Sequence, residues 1–273
     1  MKHLVLIPSY NTGPILHDVV HEALANWPDV WVVIDGSTDR SHHSLINKAS
    51  VPPGLKILVR SSNGGKGAAV LHGLNEAKKA DFTHALIMDA DGQHPASLIQ
   101  EFISVSREHP DAMILGTPAF GSEAPQVRVK GRRICIWWTN FETLWGGIGD
   151  SLFGFRVYPV SPLLRVFSQT SHARGFDFDP EVTVRLFWEG VTPINRQAPV
   201  RYLKKEDGGV SHFHYGRDNI KLIVMHVRLA FGLLRRLPRV YRLRKRAITA
   251  QRSAFQNQSP RASQGPEYSA RQK

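Results

Sequence analysis

Only one cysteine, Cys135, occurs in 273 residues, so no internal disulfide framework can staple the chain. Within "RRICIWW" it reads as a small buried apolar side chain, and its isolation fits a reducing cytoplasm. Long hydrophobic runs are missing too. None reaches the roughly 18 apolar residues needed to cross a bilayer. The run in "MKHLVLIPSYN" is broken by Pro8 and is too short for a signal-peptide core, so it reads as a first buried strand. These absences predict a soluble or membrane-peripheral protein. The first strand lacks G-x-G-x-x-G, and "NGGKG" lacks the spacing and hydroxyl residue of a P-loop. Dinucleotide dehydrogenases and P-loop NTPases are thereby unsupported.

Acidic side chains are scarce where basic ones gather. Residues 219–246 contain no Asp or Glu, and the whole chain carries a formal net charge of +12. Such an excess points to an anionic partner: a nucleotide, a nucleic acid or a membrane surface. Hydrophobic residues make up 42%, which excludes wholesale disorder and allows a sizeable core.

Through residue 116, short apolar runs at 4–7, 30–34, 55–59, 85–88 and 113–115 alternate with helix-like segments at 15–26, 41–49, 66–79 and 95–108. That alternation predicts an α/β fold with a mostly parallel sheet covered on both faces. Beyond it, "GRRICIWWTNFETLW" reads as a helix with an aromatic face, followed by a glycine-rich turn and a strand. "FDFDPEVTVRLFWEG" reads as a loop entering a helix, with Pro180 in its first turn and Gly190 as its stop. A final strand pair is expected at 191–194 and 199–203.

Ligands of such sheets bind at the carboxyl ends of strands. Four polar clusters fall there: "PSYN", "DGSTD", "NGGKG" and "DADGQH". Asp89 and Asp91 stand two apart, so in extended backbone both carboxylates face one way. Two hard oxygen donors suit Mg²⁺ or Mn²⁺. Gln93 continues the alternation, and His94 rivals it as a third ligand. The competing reading is a turn in which an aspartate caps the next helix. The glycines and Lys66 of "NGGKGAA" suit a phosphate, although a plain helix start is the simpler reading. Asp35 could accept a hydrogen bond from a ribose hydroxyl or base N–H, Ser37 or Thr38 could cap the next helix, and Asp39 reads as a first-turn helix residue.

The stretches "IPSYN" at 7–11, "DGSTD" at 35–39, "NGGKGAAVLHG" at 63–73 and "MDADGQHP" at 88–95 resemble inverting glycosyltransferases of family 2, which have the GT-A fold. The likeness is greatest to the polyprenyl-phosphate (dolichyl-phosphate) mannosyltransferase branch, with weaker echoes in "DSLFGFRVYP", "FDFDPEV" and "GGVSHF". The resemblance implies that Pro8, Tyr10, Asn11 and Asp35 line a nucleotide pocket, with Lys66 beside the nucleotide. It implies that Asp89 and Asp91 are a metal-binding DXD-type pair, completed by Gln93. Where the family carries two adjacent aspartates, this chain has Ile34-Asp35.

A UDP- or GDP-linked sugar donor would then develop negative charge on its leaving group, stabilised by the cation on Asp91 and by basic residues. The basic candidates are Arg128, Arg132 or Arg133, Arg156 and His212. For a hydroxyl acceptor, a general base is expected among Asp150, Asp177, Asp179 and Glu181. Asp179 could equally be a helix N-cap. A lipid phosphate acceptor is already ionised and requires no base. Residues 1–116 would form the nucleotide-sugar half and 117–218 the acceptor half of one domain.

Ile220, Ile223, Val224, Val227, Phe231 and Leu234 fall at helical spacing, while Lys221, Arg228, Arg235 and Arg242 recur every seven residues. Pro238 should kink or end this helix. An apolar stripe flanked by cations reads as a helix in an anionic membrane interface, which would bring a lipid acceptor to the inner face of a membrane. The plain alternative packs the stripe on the protein's own core. Segment 219–247 is thus read as a basic amphipathic helix and 248–273 as a disordered tail. A non-catalytic binder of anionic lipid or nucleic acid on a degenerate scaffold is the competing function. Nucleic acid is not expected, because the strand-end clusters contain carboxylates that would repel it.

Overall fold

The structure, a computed structural model, describes residues 1–46, 51–119, 126–200 and 215–256. The chain opens with β1 (His3–Ser9), α1 (Ile15–Asn26), β2 (Val30–Asp35), α2 (His43–Ile46), β3 (Leu55–Arg60), α3 (Lys66–Lys79) and β4 (His84–Ile87). A short 3-10 turn at Ala96–Leu98 leads into α4 (Ile99–Glu108), then β5 (Ala112–Ala119) and α5 (Gln126–Glu142). The rest is β6 (Arg156–Pro159), α6 (Val160–Ser168), α7 (Phe178–Glu189), β7 (Thr192–Pro199), α8 (Tyr215–Leu234) and α9 (Leu237–Gln256).

One seven-stranded sheet has the order β3-β2-β1-β4-β6-β5-β7. Its pairs are parallel except those of β6, which runs antiparallel between β4 and β5. The strand period of two assigns side chains to two cores. Leu4, Leu6 and Val33 pack with α3, α6 and α7 on one face. Val5, Ile7, Val32 and Ile34 pack with α1 and α4 on the other. Burial on both faces explains why the central strands read as unbroken apolar runs. Gly190, in the left-handed conformation, ends α7 as expected.

Two expectations are corrected, that of a final strand pair and that of a disordered tail from residue 248. The final strand pair is a single strand, β7, parallel to β5; residues 201–203 lie outside the described residues. It lies at the sheet edge, where Pro193 and Pro199 forfeit no ladder bond. Pro238 marks an interruption of the helix as expected: α8 ends at Leu234 and α9 starts at Leu237, with Pro238 in its first turn, where a missing N–H costs nothing. The helix also runs on to Gln256, past the expected start of a disordered tail.

The apolar stripe of α8 does not pack on the core. Ile220, Ile223, Val224, Val227, Phe231 and Leu234 are 49–67% exposed, whereas Met225, Leu229 and Leu233 are buried. Two buried carboxylates fasten the inner side. Glu181 of α7 accepts from Arg185 at 2.8 Å and from Arg228 of α8. Glu142 of α5 accepts from His226 Nδ1 at 2.9 Å. Burial opposes a charge on His226, but hydrogen bonds with Cys135 and Glu142 outweigh it and raise the imidazole to about 9. Breaking a buried ion cluster from one side is costly. Glu181→Ala should lose about 3–5 kcal/mol in chemical denaturation; a loss within experimental error would show that the cluster does not fasten α8.

At the opposite end of the sheet, His3 and His84 stack with ring centroids 4.8 Å apart. Burial, then the charges of His84 and Arg107, lowers His3 to about 4, and burial also lowers His84. An unfolded histidine takes its proton near pH 6.5, so the pair stabilises the fold above that value and loses the contribution as pH falls towards 4. The urea midpoint should therefore drop between pH 7.5 and 4.5, and drop less in His3→Phe, which keeps a ring but takes no proton. Equal drops in the two chains would reject this assignment.

Candidate active site

The carboxyl ends of β1, β2 and β4 and the start of α3 border a cleft of about 1030 Å³. Pro8, Tyr10, Asn11, Asp35, Lys66, Asp89, Asp91, Gln93, Arg132 and Asp179 all line it. The sheet thus brings together ten of the candidates. Asp150 and Arg156 are not among the lining residues, and His212 lies outside the described residues.

The second and third clusters turn out to serve one another. Asp35 accepts from Gly64 N at 3.1 Å, from Gly65 N at 2.8 Å, and from the Arg60 guanidinium. The neighbouring position, Ile34, is fully buried in the core. Gly67 N donates to Arg174 O at 2.9 Å, and Ala68 N donates to the same oxygen. These N–H groups of "NGGKGA" are therefore spent inside the protein, in keeping with the simpler reading of a plain helix start and not with a phosphate cradle. The glycines are needed for contact: a Cβ at Gly67 would collide with Ala173 O, and Gly65 adopts φ +90°.

Asn11 links the first two clusters. Its Oδ1 accepts from Thr38 N at 2.7 Å, and its own N–H donates to Ser37 Oγ at 3.0 Å. Asp39 lies before α2 rather than within it and accepts from Gly13 N at 2.9 Å.

Asp89 and Asp91 follow the end of β4 and face the cleft. Asp91 Oδ1 also accepts from Gln93 N at 3.0 Å, so the loop is a turn as well as a carboxylate pair. His94 is buried, its ring edge against Phe153, and its Nδ1 accepts from Asp89 N at 2.9 Å. It braces the loop from below, with Nε2 3.8 Å from Asp89 Oδ2. Burial, then the negative charge of Asp89, pushes Asp91 above the usual carboxylate range. Burial acts the same way on Asp89 but is overcome by Lys66, which holds it low.

The second half supplies one carboxylate from the candidate set. Asp179 Oδ2 accepts from Lys66 Nζ at 2.6 Å, while its Oδ1 is buried without a hydrogen-bond partner. It is not an N-cap, since α7 begins at Phe178. Asp177 accepts from Gly175 N and Ala173 N, and Glu181 is the buried anchor of α8. Asp150 grips Arg132 bidentately at 2.6 and 3.1 Å and also accepts from Leu152 N and Phe153 N, which corrects its reading as a free base. Arg156 is corrected too. It is wholly buried and donates to Phe153 O, Tyr158 OH, Thr183 Oγ1 and Asp179 O, so it braces the wall instead of reaching a leaving group. Arg133 is exposed, and the side chain of Arg128 lies outside the described residues.

Some lining residues had no local sequence signal: Arg174, Gly175 and Phe176 of the loop before α7, and Asp218, Lys221 and Leu222 of α8. They reach the cleft only because distant segments pack there. Among the described residues, no group of three or more His, Cys, Asp or Glu side chains is arranged to hold a metal ion. Two carboxylates facing one cleft, one held above its usual range by burial and by the charge of the other, and a neighbouring Gln93 amide nonetheless suit a hard divalent cation. The remaining positions would be filled by substrate oxygens or water.

Comparison with known proteins agrees with this layout. Polyprenol monophosphomannose synthase of Mycolicibacterium smegmatis is 25% identical over 215 residues, covering 76% of this chain and 79% of that protein. Dolichyl-phosphate beta-glucosyltransferase ALG5A of Trichomonas vaginalis is 25% identical over 198 residues, covering 66% of this chain and 59% of that longer protein. Glucosyl-3-phosphoglycerate synthase from Mycobacterium tuberculosis, solved with Mn²⁺, UDP-glucose and phosphoglyceric acid, superposes with a TM-score of 0.57. It is 15% identical, and the match covers 86% of this chain and 79% of that one, a likeness of fold. The model described as Glycosyl transferase family 2 matches residues 4–171, more than half of the 273. The chain belongs to glycosyltransferase family 2 and has the GT-A fold.

Proposed function

We propose that the chain transfers a sugar, with inversion and with Mg²⁺ or Mn²⁺, from a UDP- or GDP-linked donor to a polyprenyl-type lipid phosphate at an anionic membrane surface. One observation carries this reading: the cleft that holds Asp89 and Asp91 is bordered by α8, the helix whose apolar stripe is exposed. The names of the curated relatives, polyprenol monophosphomannose synthase and dolichyl-phosphate glucosyltransferase, support a lipid-phosphate acceptor. A relative of like fold solved with Mn²⁺ and UDP-glucose supports the cation and a nucleotide donor.

Asp89 and Asp91 would hold the divalent cation, with Gln93 beside them. When bound, that cation would supply neutralisation of the charge that develops on the departing diphosphate. Pro8, Tyr10 and Asn11 would bound the nucleotide, with Asn11 fixing the loop at 37–39. Asp35 would act on the nucleotide through the Gly64–Gly65 loop it holds. Asp179 is tied to Lys66 at 2.6 Å, which accords with an acceptor that arrives ionised and requires no general base.

Trp137 of α5 and Trp145 just beyond it are also about half exposed, and α5 packs against α8 through Trp138 and His226. Aromatic rings and apolar side chains backed by a net charge of +12 suit an anionic interface. No helix among the described residues is long and apolar enough to cross a membrane.

Hydrolysis and transfer should be assayed with UDP- and GDP-sugars, Mn²⁺ or Mg²⁺, and added polyprenyl phosphate. Asp91→Ala should lower turnover on the order of a hundredfold or more, as should EDTA. Turnover indifferent to both would sink the metal-dependent mechanism. Removing α8 would strip Met225, Leu229 and Leu233 from the core, so the surface is better tested by point charges. The double change Ile223→Asp and Phe231→Asp should weaken sedimentation with phosphatidylserine vesicles by about tenfold or more at unchanged thermal stability. Equal sedimentation of the two chains would reject the α8 surface.

A further inference from the structure

Lys66 stands where its charge is contested. Its Nζ lies 2.6 Å from Asp89 Oδ1 and 2.6 Å from Asp179 Oδ2. The two partners differ in reach: the Asp89 side chain is 31% exposed towards the cleft, whereas that of Asp179 is 9% exposed. Space around the bridge is tight, since a Cβ at Gly154 would collide with both Asp89 Oδ2 and Lys66 Nζ. The lysine backbone is fixed as well, because the next two N–H groups of α3 donate to Arg174 O. The ammonium can therefore shift by its side chain alone.

We infer that Lys66 is an internal counterion of the cleft, which competes with the divalent cation for Asp89 and yields it when the donor diphosphate arrives, so that metal and donor load cooperatively. This rests on the metal-dependent reading above and adds to it an order of binding. A carboxylate oxygen that accepts an ammonium at 2.6 Å presents less charge to an incoming cation. Asp91 alone is left to attract the metal, and at low affinity. A diphosphate offers the ammonium a stronger set of acceptors and releases Asp89. Asp179 retains Lys66 near the cleft, and its partnerless Oδ1 gives the ammonium a second site on the same carboxylate. By reciprocity, whatever strengthens metal binding in the presence of donor strengthens donor binding in the presence of metal equally.

The test is Mn²⁺ binding to the full chain, read by electron paramagnetic resonance, with and without UDP. In the unaltered chain UDP should tighten Mn²⁺ binding by about tenfold or more. In Lys66→Met, Mn²⁺ alone should bind about tenfold more tightly than to the unaltered chain, and the tightening by UDP should shrink by about threefold or more, leaving only what direct contact between diphosphate and metal contributes. Lys221→Met removes a cleft-lining cation that is not an Asp89 partner, and should change Mn²⁺ affinity by less than about threefold. Should Lys66→Met not fold, the pair Asp179→Asn and Lys66→Met/Asp179→Asn carries the comparison, the double variant binding Mn²⁺ more tightly than the single. Mn²⁺ affinity that is unaltered or weaker on removal of Lys66, while UDP coupling persists, would overturn the counterion. Absence of Mn²⁺ binding in every chain, with and without UDP, would overturn the metal-dependent reading and the counterion together.

Discussion

The ammonium of Lys66 between Asp89 and Asp179 is the contact on which the site's arrangement depends. It joins the loop after β4 to the first turn of α7, residues far apart in the chain. Each of the three groups is held by a separate device. The glycines of "NGGKG" let α3 approach the 173–175 loop closely enough for Arg174 O to fasten its start. His94 fastens Asp89 through its main chain, and the buried Arg156 fastens the main chain of Asp179. A buried ammonium with two carboxylates is stable only when these supports fix the geometry, because desolvation would otherwise exceed the attraction. The supports explain why so much polar machinery lies beneath the cleft instead of in it.

That division also separates what the residues reveal locally from what they do not. The helices at 15–26 and 66–79 coincide with the expected ranges, and the strands differ at their ends, because periodicity and turn chemistry are local. The four strand-end clusters were legible for the same reason. What each polar group spends its hydrogen bonds on was not. Asp35 looks available until Gly64, Gly65 and Arg60 are seen to occupy it. Arg156 reads as a cation near a substrate until β6 is found between β4 and β5, which encloses it against α7. These partners lie many residues away, and no spacing rule reports them.

Helix α8 shows the same limit at larger scale. Its apolar residues number more than one face can bury, so the sequence allowed the stripe to face inward or outward. The choice is made by three inward groups, Met225, Leu229 and Leu233, and by His226 and Arg228, whose partners Glu142 and Glu181 lie on α5 and α7. Burying both charges while paired orients the helix about its axis. Turning it to hide the stripe would strip Glu142 of His226 and Glu181 of Arg228 in the core, at a cost of several kcal/mol. The exposed stripe is therefore a consequence of fixed polar contacts, not of a weak core.

The orientation has a further consequence for chemistry. Asp218, Lys221 and Leu222 line the cleft, while Ile220, Ile223 and Val224 lie outside among exposed apolar groups. Neighbours one or two residues apart thus face two environments. Under the proposed function, a lipid phosphate held at the interface by its chain needs to move only about the width of one helix, roughly 10 Å, to reach the donor side. A rigid attachment of α8 through buried ion pairs would keep that distance constant. A flexible tether of equal composition would not. The same buried carboxylates that make α8 costly to detach would then set the distance between membrane surface and reacting sugar.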